Sequence, residues 1–482
     1  MYAICPDVLR DQLVSKEEKP SRTLYLRQVA SNFSGGVINP YVPIYAVQLG
    51  ASPSEMGWLR SLNNLFSNVM QIPWGMACDR IGRYVPFIVL GGIVSSLLWL
   101  PVLYVTTPWQ LILIVAFQAL ANSMVAPAWA ALLGRVLPRS ARGSGTANIN
   151  AAASLGAISA TLFSGLLMTR MSGSPAEMYR LPLLIAAVSG FGASLTMLTL
   201  RETKWGVRKD SEEHKWFDLQ ALKKNQNFRK FAVISIVQNF FMSMAWPLFP
   251  MTIVNIVKGD MLQVAYISVI SGSVGLLIRR YSGRLSDRAG RKPLIVAGRA
   301  GIFIYPLMYA FATSVYHLYV ADFAVGILGS ISDIAIFAYL LDITAEEQRG
   351  ASVALYNTLI GFATFFGSIL GGYLVVLFNI LGLDPATSMK VAYLVSASGR
   401  LLGGLLFLRM GEEYAYPSTV RKELIEIMTE DVERTRYRVR RVEELGEKAE
   451  LDLRRDMEYF ESPPKREKRP EESRQQTGDG KG

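Results

Sequence analysis

The chain has 482 residues, of which 51% are hydrophobic and only 18% are charged, and its formal net charge is +11. Soluble domains carry roughly a quarter charged residues, so this composition argues against an ordinary soluble protein. The two cysteines, Cys5 and Cys78, fall in a polar terminus and a basic loop. A structural disulfide is therefore not expected, a metal site is unsupported, and no cofactor is predicted.

Hydrophobic residues are clustered between about residues 23 and 409, in runs of about 20 residues with few charges. A helical run of this length matches the ~30 Å hydrocarbon core of a bilayer. Helix is favoured because lipid offers no water to an unpaired backbone group, and runs such as LLWLPVLYV lack the alternation of barrel strands. We predict twelve membrane-spanning helices, numbered as spans 1 to 12: 24–48, 56–77, 84–105, 109–134, 144–168, 180–200, 231–256, 262–282, 293–314, 317–341, 351–378 and 389–409.

Basic residues are concentrated in alternate loops, at 80–83, 135–142, 204–230 and 279–292. The intervening loops near Gly50, Thr107 and Ser314 are nearly free of Lys and Arg. This asymmetry follows the positive-inside rule and predicts a multi-pass cell-membrane protein with both termini in the cytoplasm. The charge of +11 is thereby explained by topology, and no nucleic-acid partner is expected.

A repeat of about 207 residues divides the chain into two equivalent halves. Three motifs recur in one register: Asn32-Phe33, Pro40 and Pro43 as Asn239-Phe240, Pro247 and Pro250; Gly75, Asp79-Arg80 and Gly82-Arg83 as Gly283, Asp287-Arg288 and Gly290-Arg291; and Arg142-Gly143 as Arg349-Gly350. Because each half has six spans, an even number, the halves are expected to be parallel repeats about the membrane normal.

The predicted domain organisation follows from these boundaries: a cytoplasmic N-terminus (1–22), a six-helix bundle (23–200), a linker (201–230), a second bundle (231–409) and a cytoplasmic tail (410–482). The linker is either an amphipathic helix on the anionic leaflet or a solvated tether. The tail is expected to be helical to about residue 461 and disordered beyond it. The transport unit is expected to be monomeric, and the near-heptad spacing of the tail leaves a tail-mediated oligomer open.

The stretches WGMACDRIGRYVPFIV and SGRLSDRAGRKPLIV resemble the signature of the major facilitator superfamily, roughly G-x-L-[SA]-D-[RK]-x-G-R-[RK]. The second copy, Gly283 to Lys292, matches every position, whereas the first departs at several, including Cys78 and Tyr84. The resemblance covers about residues 20–410. It implies an all-α alternating-access fold with a cavity between the halves, lined chiefly by spans 1, 4, 7 and 10.

The signature suggests a conformational switch at the cytoplasmic ends of the helices. Asp79 and Asp287 can accept hydrogen bonds from the N-terminus of a helix in the other half, and the arginines can add ion pairs. Such contacts form only when that side is closed; the alternative is that these charges only fix topology. The candidate switch residues are Gly75, Asp79, Arg80, Gly82, Arg83, Arg142, Gly283, Asp287, Arg288, Gly290, Arg291 and Arg349.

Polar residues in the presumed cavity spans predict a substrate or ion path. Asn32, Gly36, Asn39 and Pro43 share one helical face, and Asp322, Gly326, Gly329 and Asp333 repeat that spacing. The candidates are Asn32, Asn39, Gln118, Asn122, Gln238, Asn239, Trp246, Asp322 and Asp333.

Asp333 is the sharpest candidate on this path, because an intramembrane carboxylate is costly and by default functional as a proton, cation or substrate site. It can instead be the structural partner of an arginine or a protonated side chain packed between helices. The amide residues either line the cavity or join helices.

These features predict a secondary active transporter of a small organic solute, driven by a proton, another ion or the solute gradient. No G-x-x-x-x-G-K-[ST] stretch supports an ATP-driven pump, and His214 and His317 form no catalytic arrangement, so an enzyme is not expected. An exporter of hydrophobic compounds and a non-transporting sensor remain alternatives. Span 4 lacks the Arg, and span 5 the Gly-Pro pair, that are frequent in proton-coupled antiporters, which weakens the exporter reading.

Overall fold

The computed structural model describes residues 21–137, 142–171, 173–200, 225–345 and 349–411, with scattered positions between 422 and 437. The chain divides into two compact units, Met1–Val420 and Arg421–Gly482. Every regular element within the described residues is helical, as expected for an all-α protein. Residues 1–20, most of the predicted linker and the tail beyond residue 437 lie outside the described part.

The first half contains eight α-helices in its described residues, and two short 3₁₀ turns follow α5 and α8. The helices are α1 (Ser21–Ile38), α2 (Val42–Gln48), α3 (Pro53–Val69), α4 (Gln71–Ile81), α5 (Val85–Leu97), α6 (Pro108–Val136), α7 (Arg142–Arg170) and α8 (Pro175–Thr196).

The second half has a similar order, with a π-helical turn at Thr252–Val257 after its second helix. Its counterpart of α3–α4 is one continuous helix, and its counterpart of α5 is divided into two helices. Its helices are α9 (Gln226–Met244), α10 (Leu248–Met251), α11 (Met261–Ala289), α12 (Arg291–Gly301), α13 (Ile304–Ala310), α14 (Val315–Asp342), α15 (Arg349–Ile380) and α16 (Pro385–Leu406). The starts of α7 and α15, Arg142 and Arg349, differ by the 207 positions of the sequence repeat.

Ten helices in the described residues are long and apolar enough to cross a membrane: Val85–Tyr104, Pro108–Val136, Gly145–Arg170, Pro175–Thr199, Gln226–Val257, Met261–Arg279, Arg291–Ala310, Val315–Asp342, Arg349–Ile380 and Pro385–Arg409. Predicted spans 1 and 2 are helical as α1–α2 and α3–α4 but are not among these ten. Both contain interior arginines and amides, such as Arg27, Asn32 and Arg60, which lower their hydropathy.

One helix in each half is broken at an equivalent proline. The first break separates Ile38 from Val42 around Pro40, and the second separates Met244 from Leu248 around Pro247. A proline inside a helix has no N–H to donate and clashes with the preceding turn. Pro40 and Pro247 therefore interrupt equivalent helices of the two halves.

Short capped loops define one end of the first unit, which we call the capped end. Ser52 accepts a hydrogen bond from the Glu55 backbone N–H, and the Glu55 carboxylate accepts one from the Ser52 N–H. Asp260 and Gln263 form the same reciprocal box at the start of α11. Because such boxes satisfy N–H groups that a helix start leaves free, these positions begin α3 and α11 sharply.

The two halves approach closely through glycines on the capped-end side. A Cβ added at Gly57 would lie 2.9 Å from the Ser368 carbonyl oxygen, one at Gly165 would lie 2.9 Å from that of Met261, and one at Gly372 would collide with that of Pro53. At the opposite end, which carries the repeated signature loops, a Cβ at Gly283 or Gly350 meets nothing within 4 Å. In this conformation the halves are tightly packed near the capped end, and these glycines at the signature end face free space.

Candidate functional site

Helices of the first half enclose a polar cavity of about 410 Å³. Its wall combines small residues, which leave space, with amides and hydroxyls, which can bind a polar molecule. Four predicted path residues line it, namely Asn32, Asn39, Gln118 and Asn122. The other lining residues include Arg27, Ser31, Ser34, Gly35, Gly36, Ser95, Ser96, Trp99, Thr161, Gly190 and Ser194.

A second cavity, of about 310 Å³, adjoins the first and extends to α3. Asn39, Trp99, Gln118 and Asn122 line both, so we treat the two as one first-half cavity. Residues of α2 and α3, including Pro43, Leu59, Arg60, Asn63 and Ser67, complete its wall.

Two amide side chains of this cavity are held by backbone carbonyls. Asn32 Nδ2 donates to the Gln28 oxygen at 2.9 Å, and Gln118 Nε2 donates to the Ser95 oxygen at 3.2 Å. Each bond fixes a side chain that would otherwise rotate, and an ordered polar wall is what a selective small-molecule site requires.

Both charged residues of the first-half cavity are arginines, Arg27 and Arg60, and no carboxylate occurs among its lining residues. Arg27 is 5% exposed and its guanidinium lies 4.4 Å from the centroid of the Trp129 ring. The Nε atom of Arg60 is buried without a hydrogen-bond partner. The candidate path residues predicted from the sequence include no basic residue, so both arginines were missed; the available signal was a basic residue inside a predicted span.

The candidates of the second half do not line this cavity. Gln238 is fully buried and donates to the Arg299 carbonyl oxygen at 3.0 Å, and Asn239 donates to that of Ser235 at 2.8 Å. Trp246 lies in the break between α9 and α10. Gln238 therefore joins α9 to α12 in this conformation, whereas Asn239 bonds within α9.

Asp322 is buried in α14 beneath a cluster of aromatic rings. It accepts hydrogen bonds from the hydroxyls of Tyr305, at 3.2 Å, and Tyr309, at 3.3 Å. The Phe249 ring contacts both tyrosines at centroid distances of 4.6 Å. Large rings thus fill space in the second half, whereas glycines, serines and amides leave it open in the first.

Asp333, eleven residues further along α14, forms an ion pair with Arg299 of α12 at 2.8 Å. Its side chain is 65% exposed and that of Arg299 is 9% exposed. Asp322 and Asp333 therefore face different surroundings although their spacing places them on one stripe.

Arg400 of α16 is a further buried cation that the sequence analysis did not single out. It is 1% exposed and donates to the carbonyl oxygens of Met242, at 2.6 Å, and Ile302, at 3.4 Å. These bonds tie α16 to the helices on either side of it, which is a structural use of the charge.

The first signature loop lies at the end of α4. Gly82 caps this helix with φ of 68°, a left-handed conformation that glycine adopts without strain. Asp79 accepts a hydrogen bond from the Tyr84 hydroxyl at 3.4 Å, while Arg80 and Arg83 are exposed and Gly75 is buried within α4.

The second signature loop contains a tighter network. Arg291 donates to Asp287 at 2.6 Å and to Asp342 of α14 at 3.2 Å, and so connects the loop to the neighbouring helix. Gly290 separates α11 from α12 with φ of 94°. Gly283 and Arg288 lie in the last turns of α11.

The switch arginines outside these loops, Arg142 and Arg349, are the first residues of α7 and α15. The side chain of Arg142 lies outside the described part. In this conformation the hydrogen bonds of Asp79 and Asp287 given above remain within their own halves.

Comparison with protein families gives two overlapping matches, to residues 24–315 and 231–441, for the model described as Major Facilitator Superfamily. The chain belongs to the Major Facilitator Superfamily. The same family model matches two different stretches of the chain, which agrees with the duplication in the sequence of this superfamily member.

This superfamily member is similar to known proteins over about three quarters of its length. An uncharacterized MFS-type transporter of Methanocaldococcus jannaschii is 24% identical over 380 residues, which are 77% of this chain and 94% of that protein.

Solved structures share the fold of this superfamily member. The crystal structure of the nucleoside transporter NupG superposes with a TM-score of 0.64 at 15% identity, over 82% of this chain and 99% of that one. A bacterial homologue of the human lysosomal transporter Spinster, in an inward-facing and unoccupied conformation, gives 0.62 at 15% identity, over 83% and 100%. The predicted family is confirmed, and the chain is a multi-pass membrane protein of a transporter superfamily.

Proposed function

We propose that this superfamily member is a secondary active transporter, without enzymatic activity, that carries a small organic solute across the cell membrane by alternating access. The observation that carries this proposal is the contrast between the two ends of the first unit. Near the capped end the halves meet through Gly57, Gly165 and Gly372, and the Leu262 N–H donates to Thr169 Oγ1 of the other half. At the signature end, the hydrogen bonds given above for Asp79 and Asp287 stay within their own halves. A cavity that opens to one side at a time needs this asymmetry.

The proposed topology has twelve crossings, with α1–α2 and α3–α4 as spans 1 and 2, and both termini in the cytoplasm. The low hydropathy of these two spans is expected if their arginines and amides face the first-half cavity instead of lipid. The basic signature loops then lie on the cytoplasmic side, and the conformation described here faces inward.

The switch residues act when the signature end closes. Asp79 and Asp287, partnered within their own halves here, would then bind the N-termini of α15 and α7 in the opposite half, where backbone N–H groups attract anions. Exchanging one set of partners for the other gives two conformations of similar energy, which a solute or ion can shift.

The proposed ion-coupling sites are Asp333 and Asp322. The Asp333 carboxylate is largely exposed yet held by a buried arginine. A proton or cation that binds it would release Arg299, and so link ion binding to the packing of α12 against α14. Asp322 has two neutral hydroxyl donors and can exchange a proton without breaking an ion pair.

A disulfide across the capped end tests alternating access. The backbone N–H of Leu262 in α11 donates to Thr169 Oγ1 of α7 at 3.1 Å, so these residues of opposite halves are adjacent. The test variant carries Thr169→Cys and Leu262→Cys, with Cys5 and Cys78 replaced by serine. Liposomes containing the protein are loaded with a cell-metabolite extract, and efflux is followed by mass spectrometry.

We expect efflux of at least one solute that protein-free liposomes retain, its loss on oxidation of the cysteine pair, and its recovery on reduction. The two single-cysteine variants serve as controls and should be insensitive to oxidant. Undiminished efflux with the disulfide verified would exclude alternating access. Solute binding without efflux in the reduced state would indicate a sensor instead.

A further inference from the structure

The side chains that line the first-half cavity carry a net positive charge. Its charged lining residues are Arg27 and Arg60, and no carboxylate is found among the residues that line it. The two carboxylates in the interior of α14 have partners of their own, since Asp322 binds two tyrosines and Asp333 binds Arg299. A buried arginine and a partly buried one, with no carboxylate on the same wall, favour a site that receives its anion from outside.

The two arginines lie at different depths of the cavity. Arg27 precedes Asn39 by twelve residues along the first helical segment, which corresponds to about 18 Å at the helical rise. Arg60 lines the same deep region as Asn39 and Pro43, beyond the helix break. The cavity therefore has a cation near the signature end and another near the capped end.

Neither guanidinium has its donors exhausted by the protein. Arg27 donates from Nη1 to its neighbour Gln28 and stacks on Trp129, which supports the cation without neutralising it. The Nε of Arg60 is buried and makes no hydrogen bond. A guanidinium binds carboxylate or phosphate with two parallel hydrogen bonds, so each of these side chains can take an anionic group.

Neutral groups between the arginines suit the remainder of such a solute. Asn39, Gln118 and Asn122 line both parts of the cavity. Their amide N–H groups can donate hydrogen bonds to the oxygens of an anion as it moves from one arginine to the other. Trp99 also lines both parts and offers an apolar face to an organic body.

Building on the proposed function, we propose that the transported solute is a small organic anion, bearing a carboxylate or phosphate, that binds the Arg27 and Arg60 guanidiniums in the first-half cavity. Arg27 receives the anion near the signature end, and Arg60 holds it near the capped end.

The test compares molecules of similar shape and different charge. Thermal unfolding of the purified full-length protein in detergent is measured at constant ionic strength with benzoate, phenyl phosphate, benzamide and benzylamine. A ligand that binds the folded state raises Tm in a concentration-dependent way. We expect one or both anions to raise Tm, and the neutral amide and the cationic amine to leave it unchanged.

Variants assign the effect to the cavity. Arg60→Gln or Arg27→Gln, whichever removes the arginine that holds the active anion more tightly, should weaken its apparent affinity at least tenfold, and Arg60→Lys should retain part of the affinity at that position through its charge. Arg170→Gln, at an exposed arginine in the last turn of α7, is the matched control and should bind as the wild type does. Should a cavity variant fail to fold, the comparison of the four compounds on the wild type still decides.

Three outcomes would overturn the inference: no stabilisation by either anion, equal stabilisation by benzamide or benzylamine, or wild-type anion affinity in both glutamine variants. The efflux experiment keeps this result separate from the proposed function. Efflux confined to neutral or cationic solutes would contradict the anionic solute but support transport. Anion binding without any efflux would support the anion site but contradict transport.

Discussion

Arg299 donates a hydrogen bond to Asp333 across 2.8 Å, and the two side chains of this ion pair differ in their surroundings. The arginine is 9% exposed, whereas the aspartate is 65% exposed. The buried member depends on the exposed one for its counter-charge. A proton or cation that binds Asp333 would therefore remove the counter-charge of Arg299, which is buried between helices.

Asp333→Asn should lower stability and abolish or uncouple transport while leaving membrane insertion intact. It leaves the buried Arg299 charge without a carboxylate, and because the lost carboxylate is largely exposed to solvent we expect a loss of about 1–2 kcal/mol, below the range for fully buried pairs. Thermal unfolding and efflux as a function of pH measure the two effects. The double variant Asp333→Asn/Arg299→Gln should recover stability without recovering transport. Efflux in Asp333→Asn that matches the wild type across pH would remove this residue from the mechanism.

Tyr309→Phe should destabilise the second half by about 1–3 kcal/mol, because a buried carboxylate loses one of its hydroxyl donors. The ring that packs against Phe249 is retained, so the change removes only the hydroxyl group, with its hydrogen bonds to Asp322 and Tyr305. Denaturant or thermal unfolding measures it. Tyr104→Phe, at a tyrosine that is 83% exposed, is the control. Equal stability of the two variants would show that the Tyr309 hydroxyl does not stabilise Asp322.

Gly372→Ala should open the capped end, because its new methyl group would collide with the Pro53 carbonyl oxygen of the other half. Ser61 is fully buried and donates to the Phe365 oxygen across the halves, so a single cysteine at position 61 can report this opening. We expect its labelling by a maleimide to rise about tenfold for each 1.4 kcal/mol by which the closed state is destabilised. Gly350→Ala, where the methyl group meets nothing within 4 Å, should leave the rate unchanged. A similar rate in both variants would argue that this glycine does not control closure.

Arg291→Lys should reduce transport with little change in stability. Arg291 uses two different nitrogens to bind Asp287 and Asp342, and a lysine ammonium lacks this planar fork. Since the pair with Asp287 is exposed, its contribution to unfolding free energy is expected to stay below about 1 kcal/mol. Efflux and Tm measured on the same preparation separate the two quantities. Wild-type efflux would contradict a switch role for this arginine.

The helical fold, the duplication and the two proline breaks could be predicted because they are local properties of the chain. Run length and apolar content select a helix in lipid, and a repeated register selects two similar halves. The common face of Asn32 and Asn39 follows from helical periodicity alone, and both residues line the first-half cavity.

The partners of the charged residues depended on how the helices approach one another. Spacing placed Asp322 and Asp333 on one stripe, yet tertiary packing surrounds the first with tyrosine hydroxyls and pairs the second with Arg299. Large aromatic rings fill the second half, while glycine and serine leave space around Arg27 in the first. Helical periodicity specifies the direction in which a side chain points from its own helix axis. Residues far away in sequence set the distance to the next helix. That distance decides whether the side chain lines a cavity or contacts its neighbour.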